Sequence, residues 1–342
     1  MLIVVPLGSG RSDGSPMSTR VRVFAPASVS NLGPGFDVIG LALDHPGDTV
    51  EVERSDDPGV EIARVSGDGG VLSRDPTLNV AGVVAASVLA RLRETAVAPS
   101  ARRVPRGIRL WLHKGMPLAS GLGSSAASSV AAAVAVNELC GQPLSRLELL
   151  ASTLEGERVA SGSPHADNAA PSLLGGIVLI RSYDPLDVLE LPVPAGLWVA
   201  VVHPHCSVKT AEARALIAER RFRIEQCVAN LGNMGALVSA LYRADLKLLG
   251  RSIEDRLVEP IRARLIPGFA EVKAAAREAG ALGCSISGSG PSVFALADDE
   301  ARATEVSDAM REAFRTAVAL EADTYVGRVN PAGATVEPDA AA

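Results

Sequence analysis

Residues 116–137 constrain the fold more than any other stretch. They read Met-Pro-Leu-Ala-Ser-Gly-Leu-Gly-Ser-Ser-Ala-Ala-Ser-Ser-Val-Ala-Ala-Ala-Val-Ala-Val-Asn. From Ala126 to Val136 only alanine, serine and valine occur, which predicts a helix buried on all sides with close neighbours. Gly121 and Gly123 free the backbone ahead of it for positive φ and let an anion approach without meeting a Cβ. Ser124 and Ser125 open the helix, whose N-terminus presents unpaired N–H groups and the positive end of the dipole. Together these make the best phosphate-binding candidate in the chain.

Other readings compete with it. A Gly/Ser loop before a helix is, in isolation, a turn and an N-cap. Gly121, Gly123 and Ala126 also match the Gly-x-Gly-x-x-Ala dinucleotide fingerprint. That fingerprint needs a strand leading straight into the glycines and an acid at the end of the next strand. Lys114, Gly115 and Pro117 break the lead-in, and the next acid, Glu138, still lies in the helix pattern. A Walker A loop is excluded, because no Gly-Lys pair followed by Ser or Thr occurs.

Length and charge narrow the classes. A chain of 342 residues can bury a sizeable core in one large or two ordinary domains. With 33 basic and 39 acidic residues, a net charge of −6 and no basic run, neither nucleic acid nor a membrane surface is an expected partner. A phosphate site here would lean on backbone N–H groups and Mg²⁺. Cys140, Cys206, Cys227 and Cys284 form no Cys-x-x-Cys pair and read as small core residues in a reducing cytosol. The apolar opening lacks a basic n-region and a cleavage site, so residues 1–20 are read as a disordered lead, with Met17 an alternative start. No apolar segment is long enough to span a bilayer uninterrupted.

Pro117 to Ala127, with Pro117, Leu118, Ala119, Ser120, Gly121, Leu122, Gly123, Ser124, Ser125, Ala126 and Ala127, resembles the central glycine-rich motif of the GHMP kinases (galactokinase, homoserine kinase, mevalonate kinase, phosphomevalonate kinase). In that family this loop holds the ATP phosphates. Asn31-Leu-Gly-Pro-Gly-Phe-Asp37 resembles the first motif in its homoserine kinase form, and Ser287-Gly-Ser-Gly-Pro291, with Gly288 and Gly290, resembles the third. All three occur in family order, and the resemblance covers roughly residues 21–329. It implies an α+β, two-domain GHMP kinase fold. The N-terminal ATP-binding domain, residues 21–175, would be ribosomal protein S5 domain 2-like, and the C-terminal domain, residues 176–331, ferredoxin-like. Residues 332–342 are read as a loose tail.

The resemblance also implies roles. Asp37 would bind the substrate ammonium, with Asn31 beside it. Asn79 would lie near the adenine, although a helix-capping asparagine explains it as well. Leu147, Leu150 and Leu154 form a helix stripe whose next member is Glu157. A carboxylate on a core-facing stripe needs a partner: Arg158, or a Mg²⁺ ion shared with Ser125, which the resemblance favours. Pro164-His-Ala-Asp-Asn168 resembles the homoserine kinase form closely, placing His165, Asp167 and Asn168 at the substrate. Asn168 replaces the aspartate base of mevalonate kinase, so catalysis would rest on alignment and charge stabilisation. Thr210 would sit near the transferring phosphate, while Arg214 and Arg262 would clamp a carboxylate. His203-Pro-His-Cys206 lacks a third ligand at a suitable spacing and reads as a strand-end loop. The expected activity is ATP-dependent phosphorylation of the L-homoserine hydroxyl in the cytoplasm, on the threonine pathway, with a homodimer left open. A kinase for another small alcohol such as mevalonate, a non-catalytic binding protein on the same fold and a dehydrogenase are the alternatives.

Overall fold

The computed structural model describes residues 19–95, 104–161, 164–218 and 220–338. Most of the lead at residues 1–20 lies outside these, but Arg20 already begins a strand. The first layered unit contains β1 (Arg20–Ser30), β2 (Ile39–Ser55), β3 (Gly59–Ser66), α1 (Val80–Thr95), β4 (Gly107–His113), α2 (Ser124–Leu139), α3 (Arg146–Ser161), α4 (Ala166–Leu174), β5 (Ile177–Tyr183) and β6 (Leu186–Leu191). The rest follows as β7 (Trp198–Pro204), α5 (Thr210–Ala218), α6 (Ile224–Arg243), α7 (Leu246–Ser252), α8 (Glu259–Arg262), α9 (Phe269–Glu278), β8 (Gly283–Ile286), β9 (Val293–Ala297), α10 (Glu300–Val318), β10 (Ala322–Arg328) and β11 (Thr335–Glu337).

The first sheet runs β11-β1-β2-β4-β3, with β5 and β6 added beside the start of β2. Strand β2 is 17 residues long and works twice: Ile39–Leu41 pairs with β5, and Thr49–Ser55 pairs with β4. Helix α2 packs on β1 and β2 on one side and touches α1, α3 and α4 on the other. Small side chains are what permit this, because a leucine-rich helix could not approach a sheet and three helices together. The second sheet has the order β10-β7-β9-β8, all antiparallel, which is the ferredoxin-like arrangement.

Strands β5 and β6, which follow the expected division at residue 175, pair into the first sheet. The tail is not loose at its start: Thr335–Glu337 pairs with β1 through Phe24, Val23 and Arg22. Strand β1 runs to Ser30, and the loop that follows it spans residues 31–38. Residues 166–174 form a helix with Pro171 within it. On α3, Leu147 is 56% exposed, so the buried stripe starts at Leu150 and keeps Leu154 and Glu157.

Candidate active site

The glycine loop is fixed from both sheets. Gly121 and Gly123 both have positive φ, 81° and 69°, and Gly123 is the residue before the first turn of α2. A Cβ on Gly121 would stand 2.5 Å from the Ser287 carbonyl oxygen, and one on Gly123 would stand 2.2 Å from Ser28 Oγ. The Ser28 N–H donates to the Leu122 carbonyl (3.0 Å). From the β8–β9 turn, Ser287 Oγ donates to the Gly121 carbonyl (2.8 Å) and the Ser292 N–H to that of Ser120 (3.1 Å). The central and third glycine motifs therefore meet, and the free N–H groups of the α2 N-terminus open into a cavity of about 170 Å³.

Beneath that N-terminus lies a buried ion pair. Lys114 Nζ donates to the Asp48 carboxylate, the Ser124 carbonyl (2.9 Å) and Ser128 Oγ (2.6 Å). Ser128 Oγ and the Gly115 N–H complete the donors to Asp48, at 2.7 and 3.1 Å.

Glu157 is 2% exposed. Its Oε1 accepts from Ser125 Oγ (2.7 Å) and Ser129 Oγ (3.0 Å), and His165 Nδ1 lies 3.6 Å from its Oε2. Arg158 turns instead to Glu155, at 3.2 Å, so the local ion-pair reading of Glu157 does not hold. His165 Nε2 is buried with no hydrogen-bond partner and lines the cavity. Asn168 is held by two serines from β1: Ser28 Oγ donates to its Oδ1 (3.0 Å), and its Nδ2 donates to Ser30 Oγ (3.1 Å). Burial pushes the Asp167 carboxyl up to about 6, with the nearby Asp37 charge adding to the shift.

Across the cavity, Asp37 of the 31–38 loop faces Arg214 of α5 and Arg262 of α8. Asn31 Oδ1 accepts from the Asp37 N–H (3.0 Å), and Asn31 Nδ2 donates to the Gly288 carbonyl (2.9 Å). Arg214 makes a two-pronged pair with Asp37, at 2.8 and 2.9 Å. Arg262 is 3% exposed, donates from Nη1 to the Gly288 carbonyl (2.8 Å), and stacks 4.9 Å from the Phe36 ring centre. Its Nε, like that of Arg214, is buried without a partner. Burial lowers the Arg262 guanidinium to about 10, with the Asp37 charge opposing, so it stays charged at neutral pH. Thr210 Oγ1 lies 3.4 Å from Ser289 Oγ at the start of α5.

One side of the cavity thus offers a helix N-terminus and buried oxygens, the other a carboxylate with two guanidiniums. Residues 83–176 match the family model of the GHMP kinases N terminal domain, and residues 237–316 match that of the GHMP kinases C terminal. The homoserine kinase of Chloroherpeton thalassium is 45% identical over 327 residues, covering 93% of this chain and 99% of that one. The chain belongs to the GHMP kinases, in their homoserine kinase branch. Another homoserine kinase, from Chlorobium phaeobacteroides, is 47% identical over 92% of this chain and 99% of its own length. A homoserine kinase crystal structure from Cytophaga hutchinsonii superposes with a TM-score of 0.89 at 46% identity, covering 96% of this chain and all of that one. The mevalonate kinase of L. major, at 18% identity and a TM-score of 0.69, shares the fold.

In this GHMP kinase the cavity gathers most of the residues singled out by sequence: Asn31, Asp37, Glu157, His165, Asp167, Asn168, Thr210, Arg214, Arg262, Gly288 and, from the loop, Ala119, Ser120, Gly121, Gly123, Ser124, Ser125 and Ala126. Leu122 and Ala127 are core residues instead, and Gly290 packs behind the loop against Ile266. Pro117 and Leu118 do not line the cavity. Asn79 is a cap: its Oδ1 accepts from the Ala81 N–H (3.1 Å) and its Nδ2 donates to the Ser73 carbonyl (2.8 Å). Sequence reasoning missed Ser28, Ser30, Phe36, Ser289 and Tyr183, whose hydroxyl donates to the Asp37 carbonyl (2.8 Å). It treated Lys114 only as a break in a strand pattern.

Proposed function

We propose that the chain transfers the γ-phosphoryl group of ATP to the side-chain hydroxyl of L-homoserine, giving O-phospho-L-homoserine and ADP in the cytoplasm. The observation that carries this is the pairing of Asp37 with Arg214, flanked by the buried Arg262. These charges are the mirror of an amino acid's own: the ammonium ion replaces Arg214 on Asp37, and the carboxylate takes the freed Arg214 together with Arg262. A mevalonate-like alcohol has no ammonium ion to separate that pair.

Reaction requires the homoserine hydroxyl to lie in line with the γ-phosphorus. The α2 N-terminus and the loop N–H groups hold the phosphates. Ser28 and Ser30 lock the Asn168 amide, which fixes the hydroxyl by a hydrogen bond; an amide takes no proton at neutral pH. In a loose phosphoryl transition state the proton leaves late, so alignment matters more than a base. Thr210 and His165 Nε2 donate to developing phosphoryl charge. The donor set around Glu157 and Ser125 fits a hard cation, two protein oxygens with phosphates and water supplying the rest, and these residues would hold Mg²⁺. When bound, the ion neutralises charge on the phosphoryl oxygens.

Coupled ADP release with homoserine, mevalonate and shikimate tests the reading. Homoserine is expected to be preferred in kcat/KM by at least about 10³-fold, since without an ammonium ion nothing releases Arg214 from Asp37 to meet a carboxylate. Equal turnover of mevalonate would overturn it. In the same assay Glu157→Gln is expected to need more Mg²⁺ and to turn over at least about tenfold more slowly. An unchanged Mg²⁺ requirement would remove Glu157 from the ion.

A pH profile checks the acceptor side. Asp167 gains its charge only as pH rises through about 6. Ammonium binding is therefore strongest above that pH, and kcat/KM for homoserine is expected to fall as pH drops through it. Asp167→Asn should flatten that limb. A profile with the same acid limb in the variant would assign the ionisation elsewhere.

A further inference from the structure

Strand β5 does more than complete the first sheet. Its Ile180 N–H donates to the Val38 carbonyl (2.7 Å), so the strand continues past the start of β2 and runs beside the exit of the 31–38 loop. Tyr183 ends it, in register with Leu186 across the β5–β6 hairpin, so its backbone is fixed. The side chain of Tyr183 lies partly at the surface, yet its hydroxyl turns inward. That hydroxyl donates to the Asp37 carbonyl (2.8 Å) and accepts a backbone hydrogen bond from Ala166, the first residue of α4.

Both of these backbones carry side chains of the cavity. Asp37 has a φ of 61°, left-handed for a residue with a Cβ, a conformation that persists only where neighbours hold it. Asn31 holds it from the N–H side (3.0 Å) and is itself bonded to the Gly288 carbonyl. Tyr183 holds it from the carbonyl side. At the other end, His165, Asp167 and Asn168 stand around the first turn of α4. One phenol oxygen thus joins the segment bearing the Asp37 carboxylate to the segment bearing the Asn168 amide. Tyr183 does not itself line the cavity. Burial, with the Asp167 and Asp37 charges, raises its pKa and keeps it protonated, which leaves it no part as a base.

We propose that Tyr183 is a positioning residue of the acceptor site: its hydroxyl fixes the span between Asp37 and Asn168, and that span selects an amino acid whose hydroxyl stands on the γ-carbon over one with it on the β-carbon. The proposal rests on the homoserine reading above. L-Serine carries the same ammonium ion and carboxylate and is shorter by one methylene, so the charges of Asp37, Arg214 and Arg262 do not tell the two apart. The distance from ammonium to hydroxyl does, and a distance is selective only while both anchors are held.

Two measurements on the full chain test this. In the unliganded protein, Tyr183→Phe is expected to speed amide hydrogen exchange at residues 36–39 and 165–168 by at least about tenfold, while the amides of α2 keep their rates. In coupled ADP release, Tyr183→Phe is expected to lower kcat/KM for L-homoserine by about 10- to 100-fold, with KM for ATP within about threefold. The preference for L-homoserine over L-serine should narrow by at least about fivefold. Tyr183→Leu should add little to either effect, because the hydroxyl and not the ring carries them. Unchanged exchange, an equal loss for ATP, or an unchanged preference over L-serine would overturn the proposal and reduce Tyr183 to a packing residue. A wild type that turns over no L-homoserine would overturn the homoserine reading and the selectivity with it, and the exchange rates would still decide whether Tyr183 ties the two segments.

Discussion

Lys114→Met is expected to cost about 3–5 kcal/mol of folding stability, the range seen when one partner of a buried ion pair is removed. All three ammonium protons are used: on the Asp48 carboxylate, on the Ser124 carbonyl and on Ser128 Oγ. Burial drags the Lys114 pKa down, and the Asp48 charge opposes that pull. Methionine fills a similar volume but leaves Asp48, fully buried, with only the Ser128 hydroxyl and the Gly115 N–H as donors. A urea titration reads the loss. The double variant Lys114→Met, Asp48→Asn should recover part of it, because the orphaned charge is gone. Removing Arg109 from its exposed pair with Glu61 should be near neutral by comparison. A single-variant loss below about 1 kcal/mol would mean that water or rearrangement satisfies Asp48, and the pair would not be a structural support. Because Ser124 is the first residue of α2, a looser lysine should also raise KM for ATP.

That ion pair marks where the sequence stopped being readable. The phosphate loop could be read because its signals are local: two glycines, two serines and a helix of small residues lie within one stretch. Glu157 could be found from spacing alone, since it follows Leu150 and Leu154 on one face of α3, although Leu147 turned out to be exposed. Asp48 and Lys114 are joined across β2 and β4, and neither carries a local mark of burial. Ser28 and Ser30 look like ordinary strand residues until α4 brings Asn168 to them. Helix α4 has Pro171 inside it and follows a Ser-Gly-Ser-Pro run, both of which are local signals for a loop. Strand β6 reads Leu-Asp-Val-Leu-Glu-Leu after an Asp-Pro turn, with no period-2 alternation to mark it as a strand. Strand β11 is three residues long and exists only because β1 offers it an edge. Nonlocal pairing, in each case, decided what composition could not.

The acceptor side shows how these distant pieces act together, and Arg262→Leu tests it. The variant is expected to raise KM for homoserine by about 30- to 1000-fold, since losing a buried charge-assisted pair costs roughly 2–5 kcal/mol. KM for ATP should stay within about threefold, because the proposed place of the phosphates is the α2 N-terminus across the cavity. The two arginines are not equivalent. Arg214 already has a carboxylate in Asp37, so part of what it gives the substrate is offset by breaking that pair. Arg262 has only the Gly288 carbonyl and the face of Phe36, and its buried Nε makes no hydrogen bond. It therefore gains most when a carboxylate arrives. The fold should tolerate the leucine, because Asn31 Nδ2 also donates to the Gly288 carbonyl and keeps it satisfied. Arg262→Lys should recover only part of the affinity, since an ammonium cannot reproduce the planar two-pronged contact. Should KM for homoserine move by less than about threefold in the leucine variant, the carboxylate would belong to Arg214 alone.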